Sequence, residues 1–432
     1  MSARSILFAL ALLPALVLQH AVAQDVLIRN ATVHTATAQG TLAQADVLVR
    51  DGKIAAIGTN LAADGIEVVD AGGLPLTPTL FGGISGIGLE EVSSETFTRD
   101  AALALGATAK DIVVRPEFDV TLAYNPDSIL APVARVEGIG FTLLSANATA
   151  GGSIIGGQGA VVRLDGSPDP IGPKALFVTL GGGSSEFSGV SRAGQWMLLD
   201  QLVSELRGTV PAQMAHLTPA GRTALKRYID GGARIVFDVN RAADIRQLLR
   251  WAGKQRLSIA ISGGAEAWKL APALAAAKVP VFLDSLSGLP GNFDQIHASL
   301  ENAARLRAAG VAVGFNPSGD GSHNARKNRQ LAGNAVAHGL SWEDALAGLT
   351  RVPADAFGVA DRIGTIAVGR SADLVLWTGD PLDVAHTARQ VWMDGRTIPM
   401  RSRQTELRDR YLRPEPNPER GALPRAYSVP GR

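Results

Sequence analysis

Apolar runs separated by polar breaks give the start of the chain a strand-like pattern. Four such runs cover residues 26–33, 45–50, 53–58 and 66–70. The second and third are joined by Asp51-Gly52, a pair that is typical of a tight hairpin turn because both positions accept a left-handed backbone. We therefore predict a small sheet, not a helical domain, for this part of the chain.

From about residue 78 the pattern changes to short apolar runs that alternate with helical segments. The predicted helices include residues 218–229, 242–253, 265–277 and 293–309. Strands that are apolar on both faces and separated by helices are typical of a parallel sheet. Eight such units fit a closed (β/α)8 barrel of the TIM type. The predicted barrel strands are residues 76–82, 120–124, 140–145, 175–180, 234–239, 257–261, 279–284 and 311–316.

The end of the chain turns strand-like again. Residues 366–369, 372–377 and 390–393 read as strands, and Asp394-Gly395 is a second hairpin signal. Because strand-like segments bracket the barrel, we expect both chain ends to build one small β-sandwich. The predicted α/β organisation is a composite sandwich of residues 24–77 and 362–400, a barrel of residues 78–361, and a basic, Pro-rich tail of residues 401–432 that begins with a helix.

Residues 1–23 have the features of a secretory signal peptide. Arg4 supplies the positive start, residues 6–18 form an apolar run, and Ala21-Val22-Ala23 gives the small-x-small pattern that precedes cleavage. The alternative is a buried or membrane-anchoring helix, which the short run makes the weaker interpretation. We expect an exported protein, in a bacterial periplasm, with no membrane span once the signal is removed.

Composition excludes several classes of function and of metal site. The 432 residues carry 41 Lys+Arg against 40 Asp+Glu, a balance that argues against a nucleic-acid binder that works by bulk charge. There is no cysteine, which excludes thiolate metal sites and thiol catalysis. Histidine and carboxylate side chains therefore remain as metal ligands. The glycine runs at residues 151–152, 156–157 and 181–183 lack phosphate-loop spacing, and we predict turns and barrel-mouth loops there.

Three segments carry a resemblance to a known family. They are residues 27–35, residues 49–58 and residues 363–377, the last followed by Gly379-Asp380-Pro381-Leu382. The chain resembles the amidohydrolase superfamily, in particular its imidazolonepropionase-like, exported branch. That resemblance implies a distorted (β/α)8 barrel with a composite β-sandwich. It also implies hydrolysis of non-peptide C–N bonds by one or two divalent, zinc-like metal ions, which lower the pKa of bound water toward ~7.

The residues at the family's ligand positions differ from the family pattern. The His-x-His motif expected after the first barrel strand corresponds to Ile84 and Gly86, which offer no side-chain ligand. The predicted fourth strand has no lysine near its end, the fifth ends near Asp238, and the sixth has glycine where a histidine is expected. We therefore predict no metal at the usual His-x-His positions.

Other residues at predicted strand ends could carry chemistry. Asp320 resembles the family aspartate that handles the proton of the hydrolytic water, although an Asp-Gly turn is the alternative. Asn240, Glu266 and His323 are candidate substrate contacts. Five carboxylates follow predicted strands and could converge at the barrel mouth to hold a hard cation, namely those of Glu90, Glu91, Asp238, Glu266 and Asp320. Of these, Asp238, Glu266 and Asp320 are the candidate metal ligands. The alternative for Glu266 is helix capping.

Three functions follow from these observations. The first is a hydrolase that acts on a cyclic amide or an imidazolone-like ring. The second is a catalytically degenerate amidohydrolase that serves as a periplasmic binding or partner protein. The third is an altered enzyme that uses carboxylates and a different ion. In each case we expect a small-molecule substrate or ligand, no nucleic-acid partner, and a possible homo-oligomer.

Overall fold

The computed structural model describes residues 24–63 and 65–412. The predicted signal peptide at residues 1–23 and residues 413–432 of the predicted tail lie outside the described residues. In chain order, the strands are β1 (Val26–His34), β2 (Thr41–Arg50), β3 (Lys53–Gly58), β4 (Glu67–Asp70), β5 (Pro75–Pro78), β6 (Leu80–Ser85), β7 (Ile139–Leu144), β8 (Ile155–Arg163), β9 (Ile171–Thr179), β10 (Ile235–Val239), β11 (Ile259–Gly263), β12 (Val281–Leu283), β13 (Val313–Phe315), β14 (Leu374–Trp377), β15 (Ala388–Met393) and β16 (Arg396–Ile398).

Helices cover the outside of the barrel and connect its strands. In chain order they are α1 (Leu130–Arg135), α2 (Arg192–Leu206), α3 (Pro219–Ile229), α4 (Ala242–Gln255), α5 (Ala271–Ala276), α6 (Asn302–Ala308), α7 (Gly321–Asn324), α8 (Asn328–Ala337), α9 (Trp342–Leu349), α10 (Arg351–Ala356) and α11 (Arg403–Tyr411). Among the described residues, none of these helices combines the length and the apolar character needed to cross a bilayer.

The strands of both chain ends share one hydrogen-bonded sheet, in the order β16-β15-β14-β5-β1-β2-β3, with β4 beside β1. Leu374 of β14 pairs with Pro78 of β5, so the end of the chain returns to its beginning. The predicted hairpin at Asp51-Gly52 is confirmed, with φ of 48° and 74° at the two residues. A two-layered sandwich is not confirmed, and residues 366–369 form no strand. The domain boundaries stay a prediction.

The barrel is nearly closed and is parallel except at one strand. Its order is β13-β12-β11-β10-β9-β8-β7-β6, and β8 runs antiparallel to both neighbours. No backbone ladder joins β13 to β6. The predicted α/β barrel is therefore confirmed at the level of the fold, and the expectation of eight parallel units is wrong at β8.

The antiparallel strand was missed because it is rich in glycine. Residues 156–157, predicted as a turn, lie inside β8, whereas the predicted strand at residues 120–124 is a single 3-10 turn, Val120–Ala123. A Cβ at Gly159 would lie 1.9 Å from the carbonyl oxygen of Leu144. The glycines therefore allow close backbone approach inside the sheet, a role that composition alone does not distinguish from a turn.

The packing of helix α4 against β10 determines which β10 side chains face the barrel interior. Its buried side chains recur with helical spacing at Ile245, Leu248 and Trp251, and each contributes about 1.5–3 kcal/mol by burial. Trp251 meets Phe237 of β10 edge-on, with ring centroids 6.4 Å apart. Because successive strand residues face opposite sides, Phe237 faces the helix layer and Asp238 faces the barrel interior. The predicted helix at residues 293–309 is shorter than expected, since α6 begins only at Asn302.

A buried charge cluster joins the barrel to the terminal sheet. Arg163 ends β8, and its guanidinium contacts Asp373 at 2.7 Å, Asp165 at 3.2 Å and Asp394. Burial alone would lower the pKa of Arg163, but the three aspartates outweigh it and raise the pKa. Because Asp373 and Asp394 flank β14 and β15, the C-terminal strands and the barrel wall hold one another in place.

Candidate functional site at the barrel mouth

A cavity of about 500 Å³ opens at the carboxyl ends of the barrel strands. This is the end at which (β/α)8 proteins carry their active sites, and the volume suits a small organic ligand. Side chains and backbone from most of the strands reach it. They include Ile84, Ser85, Gly86, Asn147, Thr179, Asp238, Asn240, Ser262, Asp284, Asn316 and Asp320.

Strand register sets the floor of this cavity. Asp238 pairs with Thr179 of β9 on one side and with Ser262 of β11 on the other, so the three residues form one layer. Asn240 follows Asp238 by two residues and therefore faces the same side of the chain. Two of the residues singled out in the sequence, Asp238 and Asn240, are thus brought together at the cavity.

Asp238 is an isolated carboxylate. Within the described residues no hydrogen bond or ion pair reaches its oxygens, and it is the one exposed position of β10, since solvent enters through the cavity. Protein surrounds the group on its other sides, and the resulting loss of hydration raises the pKa of Asp238 to about 6. At neutral pH the group is therefore ionised but more basic than an ordinary aspartate.

Asn240 holds its amide in a defined orientation. Its Oδ1 accepts the N–H of Ala265 at 3.2 Å, which leaves Nδ2 with no partner among residues 24–63 and 65–412. The end of β11 packs closely against the Asn240 side chain. Gly263 has a φ of 86°, and a Cβ there would lie 2.7 Å from Asn240 Oδ1. A histidine at that position would require a strained backbone and would displace Asn240.

The two positions of the expected His-x-His motif both line the cavity. The N–H of Ile84 donates to Asn316 Oδ1 at 2.8 Å, and the N–H of Gly86 donates to Ser322 Oγ at 2.9 Å. A Cβ at Gly86 would lie 3.1 Å from the same hydroxyl. The end of β6 therefore makes backbone hydrogen bonds to side chains that follow β13. The family resemblance would place metal-binding imidazoles at these two positions.

Asp320 lies beside the cavity opening and forms an ion pair with His323. His323 Nδ1 is 2.9 Å from Asp320 Oδ1 and 3.4 Å from Glu90 Oε1, and its Nε2 is 3.2 Å from the carbonyl oxygen of Glu91. Burial opposes both shifts, but these contacts lower the pKa of Asp320 and raise the pKa of His323. Asp320 and Glu90 line the cavity, whereas His323, a predicted substrate contact, touches them and not the cavity itself.

Glu90, Asp320 and His323 are the described residues whose donor atoms come close enough for a shared metal, within 4.8 Å of one another. In the structure these three side chains contact one another. The nitrogen that would bind an ion, His323 Nδ1, already lies against two carboxylates, and both ring nitrogens face acceptors only. The imidazole thus lies between the carboxylates of Asp320 and Glu90, an arrangement that favours its protonated form and raises its pKa.

Glu266 requires a correction. The sequence made it a candidate substrate contact and metal ligand, but its side chain is 3% exposed and faces away from the cavity lining. Its two oxygens accept the N–H of Ala242, the first residue of α4, at 3.0 Å and the N–H of His297 at 2.9 Å. Glu266 therefore caps a neighbouring helix. The structure does not bring Asp238, Glu266 and Asp320 into one ligand set among the described residues.

Sequence reasoning missed several cavity residues that carry no charge. Asn316 follows β13 directly and Asn147 follows β7 closely, so their place after predicted strands was the available signal. Asn147 Oδ1 accepts the hydroxyl of Ser145 at 3.4 Å, which leaves its Nδ2 free of partners in the described part of the chain. Arg99, the one cationic side chain in the lining, lies on a loop that had no pattern to identify it.

Comparison with known proteins gives partial sequence matches. A sequence profile of the Amidohydrolase family matches residues 321–399. An imidazolonepropionase from Acidiphilium cryptum is 40% identical over 100 residues, which is 22% of this chain and 24% of that protein. Amidohydrolase tasK from Hapsidospora irregularis is 44% identical over 64 residues, or 15% of this chain and 6% of that protein. The matches thus span about a quarter or less of these relatives.

Solved structures match over a much larger part of the chain. An amidohydrolase from Thermotoga maritima MSB8 is 25% identical, with a TM-score of 0.74, and the match covers 87% of this chain and 100% of that one. A triazine hydrolase from Arthrobacter aurescens is 17% identical, with a TM-score of 0.51, over 88% of this chain and 96% of that one. The second likeness concerns the fold alone.

Proposed function

We propose that this chain, an amidohydrolase-superfamily protein by its C-terminal match and its fold, hydrolyses a non-peptide C–N bond in a small cyclic amide or imidazolone-like substrate. The observation that carries the proposal is Asp238, an unpaired carboxylate with a raised pKa at the floor of a ligand-sized cavity. Perturbed carboxylates in clefts are frequent catalytic groups. The imidazolonepropionase relatives are consistent with this class of reaction.

Asp238, Asn147 and Asn240 supply the general base and the hydrogen-bond donors that amide hydrolysis needs. In the proposed reaction, Asp238 accepts one proton from a water molecule while the water oxygen forms a bond to the carbonyl carbon. The free Nδ2 groups of Asn240 and Asn147 donate to the carbonyl oxygen as negative charge develops on it. The C–N bond then breaks, the nitrogen takes the proton from Asp238, and the products are a carboxylic acid and an amine. A base with a pKa near the working pH is favoured for such a transfer.

The usual metal positions do not support a metal-borne step in this proposal. Ile84 and Gly86 contribute backbone hydrogen bonds, and Gly263 has no room for a larger side chain. For that reason the proposed reaction depends on this chain's own carboxylate and amide groups. The family resemblance implies a divalent metal, and metal analysis of the purified protein tests that implication.

The test is a hydrolysis assay on a panel of cyclic amides, hydantoins and imidazolones, with product detection by mass spectrometry. We expect turnover by the native chain and a loss of about 10²–10⁴-fold in Asp238→Asn, as for removal of a general base. The matched control is Asp361→Asn, which removes the same charge from an exposed position outside the cavity lining. Full activity in Asp238→Asn would overturn the mechanism. Activity that disappears with chelator and returns with metal would show that the reaction requires a metal ion.

A second candidate function is that of a binding or partner protein without turnover. It is favoured by the absence of side-chain ligands at Ile84, Gly86 and Gly263, the positions where the family places histidines. Saturable binding of a panel member that remains chemically unchanged after long incubation would support this function over hydrolysis.

We also propose that the protein acts after export. The signal pattern of residues 1–23 supports this, and the expected mature protein begins at Gln24. Mass spectrometry of the protein from a periplasmic fraction tests the proposal, and an intact N-terminus would contradict it.

A further inference from the structure

The charged groups around the barrel-mouth cavity are mostly negative. Four carboxylates line it, from Glu90, Asp238, Asp284 and Asp320, against one guanidinium, that of Arg99. A cleft lined with one sign of charge concentrates ions of the other sign, because the protein walls limit screening by solvent. The cavity is therefore electrostatically suited to a cation.

Three of these carboxylates already have partners. Glu90 lies 4.0 Å from Arg99 and 3.4 Å from His323. Asp320 pairs with His323 at 2.9 Å. Asp284 accepts the backbone N–H groups of Leu286 and Ser318 at 3.0 Å and 2.9 Å.

Asp238 differs from the other three in that no donor of any kind reaches its oxygens within the described residues. An ionised carboxylate that is partly removed from water and lacks a counter-charge is unfavourable, so a ligand that supplies N–H donors with positive charge gains free energy there. The neighbouring free donors, Asn147 Nδ2 and Asn240 Nδ2, require an acceptor on the same ligand. A cationic group and a carbonyl-like acceptor in one small molecule would satisfy both.

We propose that the cavity recognises a small organic cation whose amidinium, guanidinium or ammonium N–H groups donate hydrogen bonds to Asp238. The inference rests on the proposed function in that it takes this cavity to be the substrate site, and it adds the charge class of the substrate. One oxygen of Asp238 then selects positively charged ligands over neutral and anionic ones of the same shape, and its other oxygen is left to accept the proton of the attacking water.

The test compares three probes of nearly equal shape, namely benzamidine, benzamide and benzoate, by isothermal titration calorimetry on the native chain. We expect benzamidine to bind most tightly and benzoate least. Asp238→Asn should weaken benzamidine binding by about 10-fold or more, as expected for loss of a charged hydrogen bond. The charge-matched control Asp361→Asn should leave the affinity within about 2-fold. Circular dichroism and thermal unfolding verify that each variant is folded.

A second variant and a second probe set keep the outcome decisive. Asp238→Glu retains the charge and should retain the preference for benzamidine over benzamide, whereas Asp238→Asn should abolish that preference. Equal binding of benzoate and benzamidine, or unchanged affinity in Asp238→Asn, would overturn the inference. So would a failure of benzamidine, guanidinium and agmatine to bind at millimolar concentration. Tight binding of Mg²⁺ or Ca²⁺ that depends on Asp238 would assign the site to a metal cation instead. Hydrolysis of a neutral cyclic amide without cation preference would refute only the charge class and leave the proposed function standing.

Discussion

The carboxamide of Asn316 links the last strand of the barrel to the first, since its Oδ1 accepts the backbone N–H of Ile84 at 2.8 Å. Its Nδ2 donates to Ser262 Oγ at 3.2 Å. Because β13 and β6 share no backbone ladder, this side chain supplies a hydrogen bond that a closed sheet would have made through its backbone. The link lies at the strand end where the family resemblance would place a His-x-His motif, so barrel closure and the cavity share this residue.

Loss of the Asn316 amide is expected to open this junction. Asn316→Ala leaves the N–H of Ile84 without its acceptor, and we expect the free energy of unfolding to fall by about 1–3 kcal/mol. Denaturant unfolding followed by tryptophan fluorescence measures the change. Asn316→Asp, which keeps an acceptor oxygen, should lose less. Equal losses in the two variants would show that the Ile84 contact is not the cause.

The raised pKa of Asp238 predicts a pH dependence of stability. The folded protein keeps a proton on this group up to a pKa of about 6, whereas the unfolded chain releases it near ~3.9. Between these values the folded state binds more protons, so its contribution to stability falls as the pH rises. The contribution becomes constant about one pH unit above the folded pKa.

Comparison with Asp238→Asn isolates this effect. The unfolding free energy of the native chain minus that of the variant should decrease from about pH 4 to about pH 6.5. Other titrating groups cancel in the difference. A flat difference would mean that Asp238 keeps an ordinary pKa in the folded protein.

The ion pair of His323 with Asp320 predicts an elevated histidine pKa. Proton NMR titration of His323 should give a value above the ordinary one of ~6.5, and Asp320→Asn should lower it. Glu90→Gln should lower it less, because Glu90 Oε1 lies 3.4 Å from the ring nitrogen and Asp320 Oδ1 lies 2.9 Å from it. The stability that the pair adds is fully present below the unfolded pKa and is lost as the pH rises through the folded one. An unchanged His323 pKa in Asp320→Asn would contradict the pairing.

The glycines of β8 predict a sharp contrast between two glycine-to-alanine changes. Gly159→Ala places a methyl group 1.9 Å from the carbonyl oxygen of Leu144, and the backbone must shift, so we expect a loss of about 3 kcal/mol. Gly183→Ala, in the loop after β9, meets nothing within 4 Å and should be nearly neutral. Thermal unfolding of both variants decides the matter. A tolerated Gly159→Ala would mean that β8 and β7 are not packed this closely.

The sequence predicted the site best where strand periodicity applied. Asp238 and Asn240 are two residues apart at the end of an apolar strand, and this local pattern placed both at the cavity. For Glu266 the sequence offered helix capping as the alternative to a substrate or metal role, and the structure supports capping, although of α4 and not of the helix that follows Glu266. Which N–H groups it reaches depends on where α4 and His297 lie in three dimensions, which no local pattern encodes. Asn316 was missed because its partner, the N–H of Ile84, lies 232 residues earlier in the chain. The strand β8 was missed because glycine runs usually indicate turns, and here only the neighbouring backbone explains them.

The charge cluster of Arg163 has a consequence for the order in which this protein is made. The guanidinium at the end of β8 is neutralised by Asp373 and Asp394, which lie more than two hundred residues later in the chain. Asp165, two residues after Arg163, is available at once, but it is only one of the three carboxylates that offset the burial of this cation. The wall of the barrel therefore lacks its full set of ion pairs until Asp373 and Asp394 have been synthesised. Translation of the chain and completion of its barrel are therefore separated in time, and the last strands to be made are the ones that stabilise the middle of the fold.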